Sequence, residues 1–154
     1  MRFIFILLAL LASASSSFAQ EREWTLNASD KEAFLVFGVP DTDDVGISFW
    51  CEIGTNKFSI FVNNIAGQLK EGQLTNMAIE IDTHKFSVKA KAAVDKLGLS
   101  KSLEGQIPSN SPLLKAAENG STLKTIVFNH SNTYPLIDAD FTGLLRTCAG
   151  DVVN

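Results

Sequence analysis

The sequence predicts a mainly β protein: an antiparallel β-sandwich or open barrel with one or two short helices, the C-terminal helix packed on the sheet. An α+β roll is the alternative architecture. Three observations carry this expectation. Segments at 45–52, 57–63, 75–82 and 85–91 alternate apolar and polar residues with the period of two that a half-buried strand requires. Turn-forming residues separate such segments at short intervals along the chain. Only 109–120 and 138–149 combine helical spacing of apolar residues with capping residues at their ends.

The first segment is not part of that fold. Residues 1–19 read as a secretory signal peptide: Arg2 supplies a positive start, 3–11 is unbroken apolar sequence, and Ser17 and Ala19 place small residues where a signal peptidase reads. The apolar run is too short to span a bilayer, and no later stretch is long enough to do so, so no integral membrane segment is expected in the mature chain. The remainder, 20–154, is one β-rich domain, large enough to bury a core. Its location is then periplasmic or secreted. The chain carries a net charge of −4 and no basic patch stands out, which argues against nucleic acid as a partner.

Trp24-Thr25-Leu26 reads as a short edge strand. The run 33–37, AFLVF, is apolar at every position, as in a strand covered on both faces or a helix fragment. In the stretch 45–63, Val45, Ile47, Phe49 and Cys51 share one strand face, and Phe58, Ile60 and Val62 share another. A turn at Gly54-Thr55 sets Phe49 opposite Ile60, Cys51 opposite Phe58 and Glu52 opposite Lys57, so the two apolar faces coincide. The glycines of 65–74 indicate a connection or a bulged strand. Met77, Ile79 and Ile81 then face the core, as do Phe86, Val88 and Ala90, with Thr83-His84 as the expected turn and Ile81 opposite Phe86. The other face of 85–91 carries Lys85, Lys89 and Lys91. It reads as a solvated face, with an anion-binding stripe as the alternative.

The segment 92–105 is the least readable; a helical turn and then a strand ending at Pro108 fit it. In 109–120, Ser111 suits the N-cap, Pro112 the first helical position and Gly120 the C-terminal cap, with Leu113, Leu114 and Ala117 on one face. Strands are expected at 123–128 and 134–137, separated by a polar turn that holds His130. In 138–149 Asp138 can cap the helix, and Phe141, Leu144, Leu145 and Cys148 form its apolar face. Cys51 and Cys148 are the two cysteines, and in an oxidising compartment they are expected to form a disulfide. It would close a loop of about a hundred residues, worth on the order of 4–5 kcal/mol in the chain-entropy model. A zinc site is the minor alternative.

Chemistry is harder to place. Asp41, Asp43 and Asp44 crowd one loop, a speculative hard-cation site; a solvated turn explains them with less, because Val45 stands where an EF-hand needs a ligand and no glutamate occupies the twelfth place. His84 and His130 read as turn residues, and Asp138 and Asp140 as helix-capping residues rather than catalytic acids. The sequence has no nucleophile elbow, phosphate loop or zinc-protease motif, so no catalytic residue, no cofactor and no cofactor-binding residue is assigned.

The signal peptide, FGVPDTDDVGISFWCE, SPLLKAAENGSTL and YPLIDADFTGLLRTC together resemble small exported proteins of alphaproteobacteria. More loosely, the layout is similar to the invasion-associated locus B family. The resemblance implies a periplasmic or secreted β-sandwich-like protein and transfers no catalytic residues. The functional expectation is a non-enzymatic binding or interaction module for an envelope protein or small ligand. The alternative is a small hydrolase or metal-dependent enzyme that uses the Asp41–Asp44 loop.

Overall fold

A computed structural model describes residues 21–63, 65, 67–94 and 100–150. Residues 1–20, which hold the expected signal peptide, lie outside the described residues, as do 64, 66, 151–154 and 95–99, part of the least readable segment. The chain forms β1 (Glu23–Ala28), β2 (Glu32–Gly38), β3 (Val45–Glu52), β4 (Lys57–Val62), β5 (Leu74–Ile81), β6 (His84–Val94), β7 (Lys101–Pro108), α1 (Pro112–Asn119), β8 (Thr122–Val127), β9 (His130–Pro135) and α2 (Phe141–Ala149). The nine strands among the described residues belong to one antiparallel sheet in the order β1-β2-β3-β4-β7-β6-β5-β8-β9. The sheet curls into a half-barrel, so the open-barrel form of the expectation holds rather than a two-sheet sandwich.

Curling gives the sheet one enclosed face. Leu35, Ile47, Phe49, Ile60, Met77, Ile79, Ile81, Leu103 and Leu123 point into it from successive strands and are essentially inaccessible to water. Helix α2 fills the open side. It packs chiefly on β2, with further contacts to β1, β3 and α1. Phe141 meets Phe49 edge to face, with ring centroids 4.9 Å apart. Each such buried side chain contributes about 1.5–3 kcal/mol. Cys148 on α2 is bonded to Cys51 on β3, and the amide of Gly54 donates to the carbonyl of Cys148 at 3.0 Å.

The two edges of the sheet meet at a seam. The indole of Trp24 on β1 donates to the Pro135 carbonyl at the end of β9 at 2.5 Å. Trp24 also packs on Phe37 and Phe141, and Phe37 packs edge-on to Tyr134 of β9. An aromatic chain thus ties helix, edge strands and seam together.

Several local expectations need correction. The 45–63 hairpin has the expected register. The next hairpin does not: Ile81 faces His84, Ile79 faces Phe86 and Met77 faces Val88. The turn is Asp82-Thr83, because Asp82 takes a positive φ of 50° that aspartate tolerates better than threonine or histidine. Its carboxylate also accepts from the Ser121 and Thr122 amides, and this holds the start of β8. Because the slip is two residues, every side chain keeps its face. Strand β6 runs on to Val94, and β9 begins at His130, so that histidine is a strand residue beside the turn. Asp140, not Asp138, caps α2; it accepts from the Gly143 amide, while Asp138 sits at φ 68° in the preceding turn. Ser111 caps α1 as expected. Gly120 is extended rather than left-handed, and its reason is space: a Cβ there would lie 2.5 Å from Ile81 Cγ2 and 2.9 Å from the Ala116 carbonyl oxygen.

Candidate functional site

Among the described residues no helix covers the opposite face of the sheet, yet that face is not polar throughout. Strand alternation that buries Ala33, Leu35 and Phe37 sends Phe34 and Val36 outward; the same alternation turns Trp50 and Phe61 outward on β3 and β4. All four are half-buried. The expectation that 33–37 is covered on both faces is therefore corrected: its outer residues are shielded by neighbours on the sheet, not by a second layer. Phe34 lies opposite Trp50, with ring centroids 6.0 Å apart and planes within 20° of parallel. Ser48 and Ser59 occupy the same face but are only 7% and 6% exposed, because these larger neighbours overhang them.

The register extends this surface across six strands. One row runs Val36, Ser48, Phe61, Glu104, Lys91, Leu74, each opposite the next. The adjacent row runs Phe34, Trp50, Ser59, Gln106, with Lys89 and Asn76 beyond it on β6 and β5. Where the rows cross β5, β6 and β7 they form an open cleft of about 510 Å³, lined by Leu74, Lys89, Lys91, Glu104, Gly105 and Gln106. Leu74 is 65% exposed beside it.

The charges in this cleft are not neutralised locally. Among the described residues the ion pairs are Arg22–Asp44 and Lys85–Glu80, the latter at 3.1 Å on the same outer face. Among the described residues neither Lys89 nor Lys91 has a carboxylate within ion-pairing distance, although Glu104 stands opposite Lys91 in the register. The lysine stripe legible in the sequence thus splits: Lys85 is partnered by Glu80, and the other two face the cleft.

The residues singled out in the sequence lie elsewhere. Cys51 and Cys148 are buried in the core as a disulfide. Asp41, Asp43 and Asp44 occupy the β2–β3 loop, where Thr42, not an aspartate, makes the local side-chain bonds: it donates to the Val39 carbonyl and accepts from the Asp44 amide. The Asp44 carboxylate instead takes two bonds from the Arg22 guanidinium. His84 and His130 are exposed as the first residues of β6 and β9, at opposite ends of the sheet, with His84 at the end away from the aspartate loop. Among the described residues no three His, Cys, Asp or Glu side chains are grouped so as to hold a metal ion.

A second, smaller cleft of about 140 Å³ sits at the seam, lined by Arg22, Phe37, Gly46, Asn63, Asn132, Thr133 and Tyr134. Burial pushes the Tyr134 phenol up from its ordinary pKa, with Thr125, Asn132 and the Arg22 charge acting in the other direction. Its hydroxyl donates to the Gly46 carbonyl at 3.4 Å. This bond ties the edge strand β9 across to β3, which is a closing contact rather than a reactive arrangement.

No protein-family model, curated protein or solved structure matches this chain. Among the described residues no helix is long and apolar enough to cross a membrane. A buried disulfide belongs to an oxidising, extracytoplasmic setting.

Proposed function

We propose that this chain is a non-enzymatic binding module of the periplasm or the secreted fraction, and that the outer face of β2–β7 is its working surface. The observation that carries the reading is the continuity of half-exposed aromatic residues, Phe34, Trp50 and Phe61, with a cleft whose two lysines have no ion-pair partner among the described residues. Aromatic side chains left outside a well-filled core have recognition as their common physical use, since they offer large contact area at small entropic cost. The signal peptide expected at 1–19 and the resemblance of the sequence to small exported alphaproteobacterial proteins support the same compartment.

Amide spectra of the labelled protein, titrated with separate mixtures of sugars, amino acids and nucleotides, test the surface. The expected result is a set of shifts clustered on β2, β3, β4, β6 and β7 around Trp50 and Lys91. Shifts centred on the seam cleft or the Asp41–Asp44 loop, or no shifts in any mixture, overturn the assignment.

A further inference from the structure

Resting on the outer face as the binding surface, we infer that its ligand is an acidic oligosaccharide: a chain of carboxylate-bearing sugar rings lying across the strands from Trp50 to Lys89 and Lys91. The span comes first. Trp50 is on β3 and the lysines are on β6, with β4 and β7 between them. Three strand spacings are about 14 Å along the sheet. That is longer than one sugar ring, so only an oligomer touches both ends.

The chemistry changes along that path in a way such a chain matches. At one end Phe34 and Trp50 stack on each other, and the half of each that stays exposed offers apolar surface to the C–H-bearing faces of sugar rings. In the middle, Glu104 and Gln106 are exposed and suit hydroxyl groups, one as an acceptor and the other as both donor and acceptor. At the far end Lys89 and Lys91 present ammonium groups with no ion-pair partner among the described residues, and carboxylates complete them. A neutral glycan leaves both lysines unused.

Single-stranded nucleic acid also combines stacking with positive charge. It is disfavoured here because successive bases stack on successive aromatic side chains, and the lining of the cleft, Leu74, Lys89, Lys91, Glu104, Gly105 and Gln106, holds none.

The test uses the purified protein with its disulfide intact and three probes: a uronic-acid hexasaccharide, the same hexasaccharide with its carboxyl groups reduced to alcohols, and a hexathymidylate. Calorimetric titration should show saturable binding of the uronate. Binding should weaken as salt is raised. The reduced sugar should bind about tenfold more weakly, and the double variant Lys89→Gln, Lys91→Gln should lose a similar factor for the uronate. Because both lysines are exposed, the variant's thermal unfolding should match that of the parent. Equal affinity for acidic and reduced sugars, or uronate binding that survives the double variant, overturns the acidic assignment and leaves the binding face standing. Tighter binding of hexathymidylate overturns it in favour of nucleic acid. No binding of any probe also overturns it, and the amide-shift map then decides the surface independently.

Discussion

Tyr134 sits where the two ends of the sheet come together, 4% exposed, with its hydroxyl on the Gly46 carbonyl. Burial holds the phenol neutral and raises its pKa. A tyrosine near its ordinary value of about 10 in the unfolded chain is then the stronger acid there. The stabilisation is complete below that value and is lost as pH rises through the folded one. Urea midpoints of the parent should fall as pH rises above about 10, and those of Tyr134→Phe should fall less steeply over the same range. Parallel decline of the two proteins would contradict this account. Gly120 makes a second residue-scale case. Its missing side chain lets α1 and the start of β8 close against Ile81. Gly120→Ala forces that contact apart and should cost about 1–3 kcal/mol in chemical unfolding; an unchanged midpoint means the helix end yields freely. Neither role is written in local sequence: the glycine reads as a helix cap, and the tyrosine as one more strand residue.

At the scale of elements, the disulfide joins a strand to a helix 97 residues away in the chain. Replacing Cys51 and Cys148 together by alanine should lower stability by about 2–5 kcal/mol. Helix α2 should lose hydrogen-exchange protection first, since β2 is its main partner and Cys51 its one covalent tie. Uniform loss of protection across the sheet would place the effect in global stability instead. Unreduced peptide mapping should recover the two cysteines in one linked peptide. This pairing was legible because Cys51 and Cys148 each fall on an apolar face defined by periodicity alone. The 45–63 register was equally legible, since Gly54 punctuates the turn. The 74–94 register was not: Asp82 suits the positive φ of the turn, but Thr83-His84 beside it is also a plausible turn, and a two-residue slip preserves the apolar face.

For the molecule as a whole, the half-barrel depends on its seam. Trp24 binds the Pro135 carbonyl and packs against Phe37 and Phe141, so one side chain holds both sheet edges and the last helix. Trp24→Ala should cost about 3–5 kcal/mol. It should also free the edges β1 and β9 to pair with other copies, visible as concentration-dependent light scattering. A monomeric variant of unchanged stability would show that the curl of the sheet is set by strand twist alone. The candidate binding face is likewise a property of the whole. Phe34, Val36, Trp50 and Phe61 break the apolar-in, polar-out alternation, and that irregularity is present in the sequence. Their alignment with Lys89 and Lys91 is not, because it passes through β4–β7 and β7–β6 pairings between segments far apart in the chain.

The sequence alone determined the mainly β class, the amphipathic faces of the clearest strands and of both helices, and the partners in the disulfide. These follow from side-chain periodicity, capping chemistry and the count of cysteines, all of which are local or combinatorial. Only the tertiary structure decided that the strands form one curled sheet rather than two stacked ones. It alone decided that Trp24 and Tyr134 close the sheet, and that an aromatic shelf continues into a lysine cleft on the outside. Strand order and edge contact come from which distant segments bury each other best, and no local pattern encodes that choice.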